Sequence, residues 1–348
     1  MMGIRKIIQL PGRMWKKLHS QGLILLYHRV VTLDTDPQLL SITPDHFAEH
    51  LEYLSEHYNP ISLSEMHQAL EAGKILDKSV VITFDDGYAD NLWNAKPLLE
   101  RYGILATVFV TSGSVGSDKE FWWDDLERLL LLPDELPDQL ELTIKGEKWN
   151  WDLTGRIENR PGQGYDTNLK SWNVTMTSDL GPQYTVYRDL HRFLKPLPHE
   201  QQESILSTLA QWAGVSRIGR ETHRPLTPSE LRELDRGDLI EVGAHTITHT
   251  MLSMQPVDAQ KEEIIQGKKS LEEILGRQVQ SFSYPFGGRV DFNGKTVEIV
   301  KEAGITTACA NYGSTLIGNA DPYRLPRVLV RDWDIEVLSS RMKEWFDE

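Results

Sequence analysis

Cysteine is all but absent from this chain, with Cys309 the single one. No intramolecular disulfide can form, and such usage suits a reducing compartment. Cys309 lies in the apolar, strand-like run Thr306-Thr307-Ala308-Cys309-Ala310, which marks it as core rather than as a nucleophile. Long hydrophobic runs are missing too: stretches such as residues 129–132 span only a few residues, far too short for a transmembrane helix. Positive charge is in deficit, with 37 Lys and Arg against 51 Asp and Glu for a net charge of −14, and no basic stripe with interleaved aromatics offsets it. Nucleic acid is therefore not expected as a partner, and a neutral or locally cationic substrate fits better. The leading segment, residues 1–21, sets Arg5, Lys6, Arg13, Lys16 and Lys17 around Ile7-Ile8-Gln9-Leu10-Pro11, an apolar patch too short for a signal-peptide core. The expectation is a cytoplasmic protein whose basic leader could make peripheral contact with an anionic membrane.

What is present is ordinary α/β material: 348 residues, 40% hydrophobic and 25% charged, enough for one large domain or two smaller ones. Residues 22–31 read as a buried strand with His28 near its end. Thr43 as N-cap and Pro44 behind it open a helix with Phe47, Leu51 and Leu54 on one face. Ser62 or Ser64 starts a second helix through Leu70. Further strands are expected over residues 80–84, 104–110, 239–245, 279–284, 305–310 and 327–330, with helices over 91–102, 256–275 and 296–303 between them. That alternation implies βαβ units and a parallel sheet, and the strand count suggests a β/α barrel over an open sheet. From about residue 117 to 228 the rhythm changes, and Trp122, Trp123, Trp149, Trp151, Trp172 and Trp212 fall there among helical patterns. This reads as a helical, Trp-rich insertion in a domain spanning residues 22–335, with residues 336–348 as a closing helix.

The run Val80-Val81-Ile82-Thr83-Phe84 ends abruptly at Asp85-Asp86-Gly87-Tyr88, as a buried parallel strand does when it opens into a site. Adjacent carboxylates repel and resist desolvation, so a cation or a proton in transit between them explains the pair best. His245-Thr246-Ile247-Thr248-His249 places two imidazoles four apart, where one helical turn would aim both at a metal ion. His46 and His50 have the same spacing but sit inside an amphipathic helix, where no ligand is required. In a barrel the ends of the Asp85 and His245 strands share one face. Two imidazoles and one carboxylate leave an open position on a zinc-like ion, the catalytic form of such a site, with the second carboxylate free to take a proton.

Thr83-Phe84-Asp85-Asp86-Gly87 together with His245-Thr246-x-x-His249 resembles the polysaccharide deacetylases, the NodB-homology group or carbohydrate esterase family 4. The resemblance spans roughly residues 22–335, less the insertion. It implies a distorted (β/α)7 barrel, Asp85 as general base, and Asp86, His245 and His249 as ligands of one divalent ion, zinc first, with cobalt, nickel or manganese as alternatives. The family's third motif, Arg-x-Pro-aromatic, is matched by Ser283-Tyr284-Pro285-Phe286. Phe286 would then offer its backbone N–H to the oxyanion, and Tyr284 is placed with it on the substrate side. The motif's arginine, which orients the base, is replaced by Ser283, and Arg327 is the speculative substitute. The last motif, Leu-x-His, has no C-terminal match; Leu26-Tyr27-His28 carries it instead, as in the branch with poly-N-acetylglucosamine deacetylases, and implies His28 as general acid. The implied reaction is hydrolysis of an N-acetylated amino sugar. Two alternatives stand beside it: hydrolysis of another amide or ester, such as an O-acetyl, N-formyl or lipid-linked substrate, and a catalytically silent carbohydrate-binding protein.

Overall fold

The computed structural model describes residues 21–155 and 171–346. The basic leader expected to touch a membrane lies, but for Gln21, outside the described residues, and no described helix is long and apolar enough to cross one. Among the described residues seven strands make the main path of the central sheet: β1 (Gly22–Tyr27), β2 (Ser79–Phe84), β3 (Ala106–Val110), β4 (Ile240–Ala244), β5 (Ser281–Ser283), β6 (Thr307–Cys309) and β7 (Val328–Leu329), and the two-residue strand Asn59–Pro60 pairs off this path with the start of β2. They run parallel in the order β6-β5-β4-β3-β2-β1-β7 and curl into a distorted (β/α)7 barrel. Residues 325–330 close it. On one side Leu25 pairs with Val328, and on the other the Ala310 and Leu325 backbones are joined by a 2.8 Å hydrogen bond.

Alternation along the strands sorts side chains between two cores. Leu25, Ile82, Phe84, Val108 and Val242 face outward into the layer beneath the helices, including α1 (Pro44–His57), which begins at Thr43 with Pro44 in its first turn. Ile24, Val81, Phe109 and Cys309 belong to a separate cluster in the barrel interior. The second helix, α2 (Leu63–Glu71), does not lie on the outside. Its Leu63, Met66 and Leu70 join the interior cluster and plug the N-terminal end of the barrel. A Cβ at Gly22 would come within 2.7 Å of the Met66 methyl, which shows how closely β1 starts against this plug, though the flexible methionine could shift to relieve the contact. The opposite, C-terminal end stays open to polar residues.

Between β3 and β4 the chain leaves the barrel and builds a second core, with Trp122, Trp123, Leu126, Tyr187, Leu190 and Leu206 buried in it. Among the described residues its main helices are α3 (Trp122–Leu130), α4 (Pro182–Leu194) and α5 (His199–Ala213). The insertion is more than helical: Gln139–Ile144 and Glu147–Asp152 form an antiparallel hairpin. Lys145 and Gly146, both at positive φ, make its two-residue turn, the geometry that suits right-twisted strands. Exit and return are stitched together where Gly116 N–H donates to Leu226 O at 2.9 Å and Leu226 N–H donates to Gly87 O at 3.0 Å. The insertion thereby stands directly on the Asp-Asp-Gly loop. Two of its tryptophans pack within the insertion, with Trp149 4.5 Å from Phe193 and Trp212 donating to the Gln139 carbonyl at 2.7 Å, whereas Trp123 packs on His249 at 4.7 Å.

Candidate metal centre and catalytic site

The first expected strand, residues 22–31, breaks at His28 between β1 and Arg29–Val30, so His28 stands at the barrel mouth. β2 ends at Phe84. Asp85 N–H still bonds the Tyr27 carbonyl at 3.1 Å, and Asp86 then turns into the left-handed region at φ 76°. The change of hand lets two successive carboxylates face the mouth instead of alternating across the sheet. Thr246 (φ 66°), His249 (φ 57°) and Phe286 (φ 61°) share this conformation. Each costs a non-glycine residue about 1–3 kcal/mol, and such costs persist only where the surroundings enforce them.

At His245–His249 the enforcement is visible. The segment is an irregular loop, so the helical turn expected from the spacing is corrected: two left-handed residues, not a helix, make the imidazoles converge. Glu263 accepts hydrogen bonds from Ile247 N–H, Thr248 N–H and the Thr248 hydroxyl at 2.9, 2.9 and 2.6 Å. It stands in a π-helical turn, Glu262–Gln266, inside what the sequence presents as one continuous helix. From the other side Ser112 and Gly113 N–H groups hold the Thr246 and Ile247 carbonyls at 3.0 and 2.9 Å. A Cβ at Gly113 would sit 2.6 Å from the Ile247 oxygen, so only glycine permits that approach. Neither Glu263 nor Gly113 is singled out by sequence, because an acid in a helix and a glycine in a loop have many ordinary uses.

Asp86, His245 and His249 come together with one donor atom each inside 4.8 Å. The Nε2 atoms of His245 and His249 lie 3.6 and 3.5 Å from Asp86 Oδ1. A tetrahedral ion with the usual zinc bond lengths sets its donors about 3.3 Å apart. His245 Nδ1–H donates to the Ser283 carbonyl at 2.7 Å, which leaves the Nε2 lone pair facing Asp86. All three residues are buried, and Asp86 Oδ1 has no hydrogen-bond partner. Burial, then Asp85 and Asp124, push the Asp86 carboxyl far above the usual range, while burial holds both imidazoles below theirs and so neutral. Neutral imidazoles around an unpaired buried carboxyl oxygen make a candidate donor set for a divalent cation.

Asp85 has the opposite environment. Arg327 Nη1 and Nη2 donate to its two oxygens at 2.7 and 2.6 Å, and the Ser283 hydroxyl donates to Oδ2 at 3.1 Å. Burial alone would raise this carboxyl, yet Arg327 outweighs it and holds the group below the usual carboxylate range. Arg327 is itself fully buried, with Nε bonded to the Ala310 carbonyl and Nη2 to Ser283 Oγ. His28 is half-buried, with Nδ1 unpaired; burial brings it down to about 4, against the pull of Asp85.

Phe286 N–H finds no hydrogen-bond partner among the described residues, and its ring packs edge-on to His249 at 4.7 Å beneath Lys195 Nζ at 4.4 Å. Tyr284 is not brought to the site. Its N–H bonds the Cys309 carbonyl and its ring turns outward to stack on Phe292 at 3.9 Å, because neighbours of the inward-facing Ser283 must point the other way. His46 and His50 stay apart from the metal centre: His46 Nδ1 meets Asp332, while His50 is buried and bonded to Tyr27 and Trp333. A second cluster, Asp124, Glu127 and His223, also lies within 4.8 Å. Its charges are answered by protein groups, with Arg220 on Glu127 at 2.8 Å and the Tyr88 hydroxyl on Asp124 at 2.6 Å.

The profile of the polysaccharide deacetylase family matches residues 72–192 and 166–308. YxkH of Bacillus subtilis is 35% identical over 95 residues, which cover 27% of this chain and 33% of YxkH. The poly-beta-1,6-N-acetyl-D-glucosamine N-deacetylase of Escherichia coli K12 is 30% identical over 86 residues, 24% of this chain and 13% of the relative. The matched stretches thus span a third or less of these two relatives. Among solved structures, the Streptococcus pyogenes deacetylase PplD superposes with a TM-score of 0.56 at 17% identity, covering 93% of this chain and 99% of that one. IcaB from Ammonifex degensii gives 0.56 at 17%, over 94% and 98%. With two thirds of the sequence inside the family profile and the same fold throughout, the chain belongs to the polysaccharide deacetylase family.

Proposed function

We propose that this protein hydrolyses the N-acetyl group of an amino sugar in a glycan or glycan precursor with the help of one divalent ion, zinc first. The observation that carries the reading is the unpaired, buried Asp86 Oδ1 set between two neutral imidazoles, beside a second aspartate clamped by arginine. The names of the relatives point to N-acetylglucosamine polymers as the substrate class. Asp86, His245 and His249 would hold the ion, which when bound supplies Lewis acidity to the acetyl carbonyl and to water. Asp85, kept ionised by Arg327, takes a proton from the attacking water. Phe286 N–H, left without a partner, stabilises charge developing on the carbonyl oxygen. His28 delivers a proton to the departing nitrogen; at a resting value of about 4 it acquires that proton only as negative charge builds beside it.

Acetate release from N-acetylglucosamine oligomers tests this, with and without added metal after chelation. Asp85→Asn is expected to lower kcat by about a hundredfold or more and keep the bound metal, while His245→Ala loses both. Normal turnover in Asp85→Asn would overturn the assignment of the base.

A further inference from the structure

The two imidazoles of the metal centre are held in different ways. His245 Nδ1–H donates to the Ser283 carbonyl at 2.7 Å, so a hydrogen bond fixes which edge of that ring faces Asp86. His249 is buried as well, yet its Nδ1 has no hydrogen-bond partner among the described residues. Glu263 and Gly113 hold the backbone that leads to His249, and neither reaches its ring. What surrounds the ring is aromatic: Trp123 at 4.7 Å, Phe286 at 4.7 Å and His245 at 4.8 Å, each packed edge to face with it. Phe286 and His245 stand on barrel loops, whereas Trp123 comes from α3 of the insertion.

Trp123 is itself held still. It is 4% exposed, and its indole stacks on Phe121 at 4.9 Å with the planes 4° apart and meets Trp122 at 5.4 Å. Its Nε1–H donates to the Tyr88 hydroxyl at 2.8 Å, and that hydroxyl donates in turn to Asp124 Oδ2 at 2.6 Å. Tyr88 follows Asp86 by two residues, and the Arg29 guanidinium lies 4.3 Å over its ring. One chain of contacts therefore joins the loop of the carboxylate to the ring of the imidazole, and it passes through the insertion.

A ligating imidazole is normally kept in register by a hydrogen bond at its second nitrogen, and losing that support costs about 10–100-fold in metal affinity or activity. Edge-to-face aromatic packing is directional and can serve the same end. We propose that Trp123 is a positioning residue of the metal centre, its indole holding the His249 imidazole in the ligating orientation in place of the hydrogen bond that Nδ1 lacks. The inference rests on the metal-dependent reading above. It makes the insertion a working part of the site, tied to the Asp85-Asp86 loop through Tyr88.

The test compares wild type with Trp123→Leu, Trp123→Phe and Tyr88→Phe, reading zinc affinity by competition with a chelating indicator and the visible absorption of the cobalt-loaded protein. Trp123→Leu is expected to weaken zinc binding about tenfold or more and to alter the cobalt spectrum, and Trp123→Phe, which restores an aromatic edge, to recover most of both. Tyr88→Phe removes only the oxygen that anchors the indole; it is expected to lose about two- to tenfold in affinity, and it serves where the leucine disturbs folding. Unchanged affinity and spectrum in Trp123→Leu or Tyr88→Phe, or equal losses in the leucine and phenylalanine variants, would overturn the role. If wild type binds neither zinc nor cobalt, the metal-dependent reading fails separately. Nitrogen-15 spectra of the histidines in the metal-free protein then still decide what Trp123 does: altered His249 signals in Trp123→Leu, recovered in Trp123→Phe, support the orientation of the ring by the indole, and identical spectra overturn it.

Discussion

Asp85 and Arg327 are a buried ion pair in which each partner makes the other tolerable. Arg327→Met would leave the carboxylate buried without its counter-charge, at a cost of about 3–5 kcal/mol in unfolding free energy. Without the guanidinium, burial raises Asp85, so the acid limb of the kcat/KM profile is expected to move to higher pH. Arg327→Lys keeps the charge but not the two-pronged geometry, so stability should recover more than kcat does. Denaturant titrations and pH-rate profiles of the two variants separate these effects. At this scale the motif residues were legible because Asp85-Asp86 and His245/His249 are each local in sequence. Arg327 stands 242 residues from Asp85, so sequence offered it only as a speculation that Ser283 had made necessary. Ser283 does not take over the arginine's role; its hydroxyl links Arg327 Nη2 to Asp85 Oδ2.

The elements that position these residues were less evenly legible. Helix starts such as Thr43-Pro44 and Ser62 were readable, because capping chemistry is a property of four consecutive residues, and Thr227 and Glu230 form the same reciprocal cap on Pro228–Leu234. That α2 plugs the barrel was not: an amphipathic pattern says that one face is buried and not against what. The hairpin of the insertion had a readable signal, the alternation of residues 139–144 and the Lys145-Gly146 turn, masked by helical patterns around it. The cap at Glu230 is also where the insertion rejoins the barrel. Burial pushes this carboxyl up, but hydrogen bonds from Arg224, Thr227 N–H and Trp93 prevail and bring it down to about 2. A folded value below the unfolded 4.5 means that Glu230 contributes stability above pH 4.5 and loses it as pH falls toward about 2. Glu230→Gln should therefore be less stable than wild type at pH 6 and show a shallower loss between pH 4.5 and 3. Urea midpoints across that range check the sign.

For the whole molecule, Cys309 offers a reporter. It sits in the barrel interior with no exposed surface, and burial pushes its thiol up to about 12. A thiol reagent should leave the native protein unlabelled and react at the rate of large-scale opening, converging on the unfolding rate in denaturant. Rapid labelling under native conditions would mean that the plugged end of the barrel opens by itself. A barrel was readable from the count of βα units, each of which pairs with its predecessor; how it closes was not, since that rests on one short segment, residues 325–330, touching both edges. That segment also carries Arg327. During synthesis Asp85, Asp86, His245 and His249 leave the ribosome before it, and until it arrives the barrel stays open and Asp85 lacks its guanidinium clamp. A nascent chain stopped short of this segment would thus hold an incomplete version of the site, with its clustered donors made and its buried carboxylate unanswered.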